Sequence, residues 1–355
     1  MGHYLIVGSG LSGLAIAETL LREGHRVTVF DDGSQKASMV AGGLYNPVVL
    51  KRFNLTWEGK RLMDVALPFY KALEKKLGVD VDEKISILRL FASEGEQNKW
   101  FEATDQPGLS EYLSTSVLSN TNKAIRAPHG YGEVLHTGRV HTARLLSAYR
   151  EYLADLGSFQ RAAFCFSELQ IEKDGVRYRG LQAEGVIFSE GFGLRSNPFF
   201  NYLPLEGNKG ELLEIYAPDL KESRVIKGGV FIIPTGADHY LAGATYSRSY
   251  EGAEPTAEAR EKLLKGLHKF VQCDFEVTRQ WAGIRPTVPD RRPLVGVHPE
   301  YSSLYVINGM GSRGVLIAPY AARCLAGLIL RAEPLPEGLD CTRFSHGYQR
   351  SKKQV

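Results

Sequence analysis

The stretch that decides the fold is residues 4–31, YLIVGSGLSGLAIAETLLREGHRVTVFD. It opens with a short apolar run that is typical of a buried parallel strand. A glycine turn with the spacing GxGxxG follows, then a helical pattern over residues 14–23 that stops at Gly24, then a second strand over residues 26–31. Strand, glycine turn, helix and strand together predict a βαβ unit that binds a dinucleotide.

Each glycine of this unit has its own role in the prediction. Gly8 permits the tight turn, Gly10 lets a pyrophosphate approach the backbone, and Gly13 lets the helix pack closely on the strand. The helix N-terminus adds free N–H groups and a partial positive charge. The predicted cofactor contacts of the unit are Gly8, Gly10, Leu11, Ser12, Gly13, Asp31 and Asp32.

The two acids end the second strand. The Asp31 carboxylate can accept hydrogen bonds from a ribose and would repel a 2′-phosphate, which disfavours NADP. Asp31 or its neighbour Asp32 could instead be a solvated turn residue. The unit by itself does not distinguish FAD from NAD.

A second glycine-rich stretch, GMGSRGVLIAP, lies near the other end of the chain at residues 309–319. It runs into an apolar pattern that predicts a helix beginning near Val315. Taken alone, it could be a glycine cap followed by a packing helix. As a cofactor loop it would contribute Gly309, Met310, Gly311, Ser312, Arg313, Gly314 and Val315.

Four further blocks accompany the two glycine stretches. They are SQKASMVAGGLYNP (34–47), GRVHTARLLSAYREYLADLG (138–157), GVIFSEGFGLRSNP (185–198) and RQWAGIRPTVPDRRPLVG (279–296). In this order the blocks resemble the D-amino acid oxidase superfamily of flavoproteins, which includes glycine and sarcosine oxidases. The patterns S-x-x-A-G-G-L-x-x-P and W-x-G-x-R-P-x-x-P-D-x-x-P-x-x-G carry much of the resemblance.

The resemblance implies an α/β fold: a discontinuous, Rossmann-type FAD-binding domain and an α+β substrate domain built on an antiparallel sheet. The implied FAD-binding domain comprises residues 1–75, 136–205 and 276–345, the substrate domain comprises 76–135 and 206–275, and a tail follows at 346–355. The residues themselves indicate strands in the second domain, because GGVFIIPTGADHYLAGATYS has the pattern of a hairpin around the turn TGAD. TAEAREKLLKGLHKFV predicts an amphipathic helix.

The resemblance also implies non-covalent FAD as the cofactor. The first glycine stretch would hold its pyrophosphate, and the second would cover its isoalloxazine ring. Further contacts are implied for Ala41, Gly42, Gly43 and Gly191. Just before Gly191 the family pattern has two alanines, whereas this chain has Ser189 and Glu190, so the local contacts there are expected to differ.

Arg285, in the G-x-R-P block, would bind the substrate carboxylate with its two-donor fork. That position would place the substrate C–H over the flavin, so that hydride passes to N5 and the resulting imine hydrolyses. Arg313 would be a second anion-binding group, one position later than the arginine of glycine oxidases, where this chain has Ser312. From the residues alone, Arg285 could instead form a structural ion pair, for example with Asp290.

The substrate stays open between two kinds. The GSRG form of the last loop most resembles the C-terminal oxidase domain of the bifunctional bacterial enzyme that makes 5-methylaminomethyl-2-thiouridine in tRNA. The substrate is therefore a free amino acid or N-substituted glycine or, for a stand-alone tRNA oxidase, a carboxymethylaminomethyl group on a wobble uridine. The electron acceptor, oxygen or another compound, is open too. A non-catalytic or NAD-using Rossmann protein is disfavoured, because it has no use for the G-x-R-P and GSRG blocks.

The composition predicts a cytoplasmic globular protein. The net charge is +3, from 43 basic and 40 acidic residues among 355, far from the basic stripe of a dedicated nucleic-acid binder. The spacing of the cysteines fits neither a disulfide framework nor a zinc site and predicts reduced thiols; they are Cys165, Cys273, Cys324 and Cys341.

Metal and membrane sites are not expected either. The spacings of the three clustered histidines fit no common metal motif; they are His129, His136 and His141. No signal-peptide pattern precedes the first strand. Pro319 and Arg323 interrupt the apolar character of segment 315–330, which is therefore expected to be an amphipathic helix on a core and not a bilayer span.

Overall fold

Residues 1–352 are described by the structure, which is a computed structural model. The α-helices are α1 (Leu11–Arg22), α2 (Gly59–Leu77), α3 (Glu94–Thr104), α4 (Thr142–Asp155), α5 (Ala257–Leu267), α6 (Gly314–Arg331) and α7 (Ser345–Lys352). The strands are β1 (His3–Val7), β2 (Arg26–Phe30), β3 (Leu44–Tyr45), β4 (Val48–Val49), β5 (Asn54–Leu55), β6 (Asp82–Lys84), β7 (Ile87–Leu90), β8 (Leu113–Leu118), β9 (Tyr131–Val134), β10 (Gly138–Val140), β11 (Phe159–Gln160), β12 (Leu169–Glu172), β13 (Gly175–Tyr178), β14 (Leu181–Ala183), β15 (Gly185–Phe188), β16 (Glu206–Tyr216), β17 (Val225–Lys227), β18 (Phe231–Gly236), β19 (His239–Gly243), β20 (Glu276–Thr287), β21 (Leu294–Val297) and β22 (Leu304–Asn308).

The first large sheet has six strands in the order β11-β2-β1-β15-β22-β21. Its neighbours are parallel except β21 and β22, and both faces are covered, so that Leu5 and Ile6 of β1 are fully buried. The predicted βαβ unit is confirmed as β1, α1 and β2. The chain connections reverse direction between β1 and β15, and in such sheets a ligand binds beyond the carboxyl ends of the strands at that point.

Helix α6 packs between α1 and α2 in the core beside this sheet. The expected helix on the core is confirmed, and it continues through Pro319. Proline has no N–H to offer the carbonyl oxygen of Val315, and the hydroxyl of Tyr70 on α2 donates to that oxygen instead at 2.7 Å. The helix is long and apolar enough to cross a membrane by length and composition, but 61% of it is buried inside the protein.

The second large sheet has eight strands in the order β20-β16-β19-β18-β17-β7-β9-β8. They pair antiparallel except β17 and β7. Strand β20 begins at the predicted boundary, residue 276, and lies in the second sheet. It pairs with β16 from Glu206↔Thr287 to Tyr216↔Glu276, and backbone hydrogen bonds along that whole length hold it in the second sheet.

Two predicted elements of the second sheet are confirmed. The hairpin β18–β19 turns at Ala237 and Asp238, both in the left-handed region. Helix α5 buries Leu263 and Leu267 against the sheet, and the Thr256 hydroxyl caps its N-terminus.

The first part of the predicted tail is helical. Helix α7 covers its first part, and the ring of Tyr348 lies edge-on to Tyr202 with centroids 5.1 Å apart. Residues 353–355 of that tail lie outside the described residues.

Candidate functional site

The first glycine loop closes against the end of β15. Gly8 has a φ of +98°, and a Cβ on it would lie 2.6 Å from the carbonyl oxygen of Ser189. A Cβ on Gly13 would lie 1.9 Å from the carbonyl oxygen of Gly8, so only glycine allows this approach. Helix α1 then begins at Leu11, and no side chain caps it at Gly10. The loop therefore presents a helix N-terminus that can receive a phosphate.

Asp31 lies at the end of β2, as predicted, and braces this loop. Its carboxylate accepts hydrogen bonds from the Ser9 N–H at 2.5 Å, the Ser9 hydroxyl at 2.6 Å and the Gly33 N–H at 2.6 Å. Arg150 of α4 donates to the Ser9 hydroxyl at 2.7 Å and lies 3.9 Å from the Asp31 carboxylate. Asp32 is exposed and accepts a backbone N–H two residues on, so it has the geometry of a turn residue. Sequence reasoning missed Arg150.

The segment 41–43, also predicted to contact the cofactor, lies at the junction of the two sheets. Arg139 donates to the carbonyl oxygen of Gly42 at 3.1 Å, and the Val140 N–H donates to that of Gly43 at 2.9 Å. A Cβ on Gly42 would lie 2.9 Å from Ile233 of β18. The backbone of this segment is therefore held between β10 and the second sheet.

The last glycine loop comes back to the first. A Cβ on Gly314 would lie 3.2 Å from Leu11, so the N-termini of α1 and α6 are neighbours. The Asn308 amide donates to the carbonyl oxygen of Gly191 at 3.0 Å, which ties the third block to the last loop. No side chain caps α6 at Arg313. The structure thus brings together the glycine stretches that the sequence separates.

Arg285 projects from β20 across the face of the second sheet. A Cβ on Gly210 of β16 would lie 2.0 Å from its Nη2, so a glycine at that position makes room for the guanidinium. The guanidinium donates to the Asn208 Oδ1 at 3.3 Å and to the Thr245 carbonyl oxygen at 3.2 Å. The ring of Tyr246 stacks on it at 4.4 Å. Asn208, Thr245 and Tyr246 were not predicted, because they lie outside every block.

The charges of Arg285 and Arg313 are not neutralised by the protein. Among residues 1–352, neither arginine has a carboxylate within 4.0 Å; the Asp290 carboxylate accepts from Arg343 at 2.8 Å instead. The alternative ion pair of Arg285 with Asp290 is therefore wrong. Burial lowers the pKa of both guanidinium groups, and the Tyr246 hydroxyl opposes that shift in both. The same tyrosine acts electrostatically on both cations, which makes them a candidate site for an anion.

The loop of residues 245–256 covers this anion site. Tyr246 is 60% exposed, so the site is close to solvent. Two buried residues of β16 anchor the loop: Lys209 donates to the Glu254 carbonyl oxygen at 2.5 Å, and the Glu211 carboxylate accepts from the Thr256 N–H at 2.8 Å. These two contacts therefore hold the loop that carries Tyr246 in place.

The geometry fits a flavin dinucleotide. The glycine approaches at the first loop leave no volume for side chains, and the two neighbouring helices α1 and α6 have no side-chain cap from Gly10 or Arg313. Anionic groups are favoured at such termini. Within the described part of the chain, no cluster of His, Cys, Asp or Glu could hold a metal ion.

Comparisons with known proteins agree with this geometry. The family model described as DAO, FAD dependent oxidoreductase, matches residues 3–328. Glycine oxidase from Pseudomonas aeruginosa is 24% identical over 359 aligned positions, which cover 93% of this chain and 95% of that protein. The tRNA 5-methylaminomethyl-2-thiouridine biosynthesis bifunctional protein from Caulobacter sp. is 28% identical over 353 positions, which cover 94% of this chain and 55% of that protein.

Solved structures share the fold. The crystal structure of glycine oxidase from Geobacillus kaustophilus has a TM-score of 0.76 at 23% identity, over 97% of this chain and 98% of that one. The family match spans nearly the whole chain, including both glycine loops and both arginines. The chain therefore belongs to the DAO family of FAD-dependent oxidoreductases.

Proposed function

We propose that this enzyme uses FAD to oxidise the C–N bond of an amino acid or an N-substituted glycine, bound by its carboxylate at Arg285 and Arg313. One observation carries the proposal: Arg285 stacks on Tyr246, Arg313 interacts electrostatically with the same side chain, and neither guanidinium has a carboxylate partner within residues 1–352. A substrate carboxylate supplies the missing negative charge, and the planar fork of Arg285 matches its two oxygens.

The residues around the site position the substrate. Asn208 and the Thr245 carbonyl oxygen fix the guanidinium of Arg285, so the carboxylate it holds has a fixed position as well. FAD, when bound, supplies the acceptor for the hydride removed from the carbon beside the nitrogen. The Tyr246 ring covers one face of the Arg285 guanidinium, and its other side is exposed to solvent.

A carboxylate that cannot be oxidised tests the anion site directly. Titration of the purified yellow protein with acetate should shift the visible flavin spectrum saturably, whereas acetamide, its neutral analogue, should not. In Arg285→Gln the Kd for acetate should rise about ten- to a hundredfold, the worth of a charged hydrogen bond. Equal acetate affinity in the variant and the wild type would contradict the proposal.

A second candidate substrate is tRNA that carries carboxymethylaminomethyl-uridine. The likeness to the Caulobacter bifunctional protein over 94% of this chain favours it, and the exposure of Tyr246 places the candidate anion site close to solvent. The reacting group is again an N-substituted glycine. Single-turnover assays with the modified tRNA should yield the free aminomethyl product, and binding should weaken steeply with salt. Turnover of free amino acids alone would exclude this candidate.

A cytoplasmic location stays part of the proposal. The four cysteines are free thiols in the structure, as suits a reducing compartment. Helix α6, the apolar one, is largely buried in the core. Cell fractionation with an antibody against the protein would test the location.

A further inference from the structure

Glu190 occupies an unexpected place in the cofactor site. It follows β15 at the carboxyl edge of the first sheet, and its Cα is 3.2 Å from where a Cβ on Gly8 would lie. Gly191, the next residue, is tied to Asn308 in the last loop. Glu190 stands where the family pattern has alanine. The backbone of Glu190 therefore borders the loop whose chemistry suits phosphate, and the loop lies within the length of its side chain.

The carboxyl group is held by a neutral donor. Asn197 donates its Nδ2 to the Glu190 Oε2 at 2.7 Å. The Oδ1 of this fully buried asparagine accepts the N–H groups of Phe199 and Phe200 at 2.8 and 3.1 Å, so its amide orientation is fixed. No lysine, arginine or histidine of the described chain lies within 4.0 Å of the Glu190 carboxylate.

The neighbouring segments offer no compensating charge. Across the crevice, Asp31 is bonded to Ser9, and Asp32 and Lys36 in the same segment are exposed. In the turn after Glu190, Arg195 is exposed and donates to a backbone carbonyl. Burial accordingly raises the pKa of Glu190 to about 7, against the opposing effect of the Asn197 hydrogen bond.

We propose that Glu190 enters the cofactor site as the neutral acid and donates its proton in a hydrogen bond to an anionic phosphate oxygen of FAD, so that FAD binding takes up one proton. The inference rests on the family's use of FAD. An ionised Glu190 would repel the phosphate, whereas the acid offers it a donor. No covalent bond changes, and the proton comes from solvent.

The sign of the pH dependence follows from linkage. Below the pKa of the free protein, Glu190 already carries its proton, and the FAD affinity is independent of pH. Above it, each binding event must take up a proton, so the affinity falls by up to about tenfold per pH unit. The dependence should set in near pH 7.

The test measures the Kd of FAD for the apoprotein by flavin fluorescence between pH 6 and 8.5. The wild type should lose about ten- to thirtyfold in affinity between pH 7 and 8.5. Glu190→Gln, a permanently neutral donor, should bind FAD without this slope. Glu184→Gln, an exposed acid just before the other end of β15, should keep the wild-type slope.

Calorimetry in buffers of different ionisation enthalpy should show about one proton taken up per FAD at pH 8 in the wild type and none in Glu190→Gln. Glu190→Ala, the family's residue, gives a second variant with the same expected loss of slope. A flat wild-type profile without proton uptake, or an unchanged slope in the variants, would overturn this inference alone. A wild type that binds no FAD at any pH would overturn the proposed function as well.

Discussion

At the scale of single residues, the main feature is a pair of arginines, Arg285 and Arg313, whose charges have no carboxylate partner within residues 1–352. Arg285 and Arg313 are desolvated enough for burial to lower the pKa of each. Both are half-buried, and partial removal of a cation from water without a counter-charge is unfavourable. Neither hydrogen bond of Arg285 goes to a charged acceptor. An anionic ligand that binds to these two guanidinium groups would supply the missing counter-charge.

Arg285→Lys separates charge from geometry. The lysine keeps the cation but loses the two-donor fork, so we expect KM for carboxylate amines to rise about tenfold or more, which corresponds to ~1.5–3 kcal/mol for a charged hydrogen bond. FAD affinity should not change. Steady-state kinetics and FAD titration measure both quantities. Arg279→Lys, an exposed arginine on the same strand, is the control, and equal KM values in the two variants would contradict the role of Arg285.

How far the sequence reaches at this scale depends on whether a residue lies inside a motif. Arg285 and Arg313 were predicted because they lie in blocks with a family pattern. Tyr246 and Asn208 lie outside the blocks that carry the family pattern, and only the pairing of β16 with β20 brings Asn208 opposite Arg285. Arg150 lies within a recognised block, but its contact with Ser9 depends on how α4 packs against α1.

At the scale of elements, α6 shows how a tertiary contact compensates for a local defect. Pro319 removes one internal hydrogen bond from the helix. The structure replaces the missing N–H with the hydroxyl of Tyr70 from another helix. No local pattern in residues 315–330 could indicate this partner, because it lies 245 residues away.

A double-mutant cycle tests this replacement. Tyr70→Phe leaves the buried Val315 carbonyl oxygen without a donor and should reduce the free energy of unfolding by about 1–3 kcal/mol. In a Pro319→Ala background the alanine N–H can donate to that oxygen, so the same substitution should cost less than about 1 kcal/mol. Denaturant unfolding of the four proteins measures the coupling. Equal costs in both backgrounds would show that the hydroxyl does not compensate for the proline.

The loop of residues 245–256, which covers the candidate anion site, gives a second prediction at this scale. Glu211→Gln weakens a buried pair with Lys209 and the acceptor for Thr256, so the segment 245–256 should loosen. We expect a loss of about 3–5 kcal/mol in unfolding free energy, proteolysis within the segment and a raised KM with unchanged FAD affinity. Glu258→Gln in the exposed first turn of α5 is the control. A segment that stays resistant to protease at unchanged KM would refute the anchoring role.

At the scale of the whole molecule, the order of the blocks along the chain was sufficient to predict two sheets and one composite site. The ends of both glycine loops meet because β1 and β22 flank β15 in one parallel sheet. The sequence could not assign β20 to the second sheet, because strand pairing between residues 206 and 287 is set by the packed molecule rather than by local pattern. The substrate lies between the sheets in the proposed function, with the anion site on the second and the cofactor loops on the first.

The most direct test of the central claim is the anaerobic visible spectrum of the FAD-loaded protein as matched amines are added. The substrates are glycine, sarcosine, D-alanine, D-proline and tRNA with carboxymethylaminomethyl-uridine, and dimethylamine is sarcosine without its carboxylate. We expect at least one carboxylate amine to bleach the flavin band and Arg285→Gln to slow this bleaching. Dimethylamine should leave the band intact. The proposed function would be contradicted if dimethylamine bleached the flavin as fast as sarcosine does. It would also be contradicted if none of the carboxylate amines bleached the flavin.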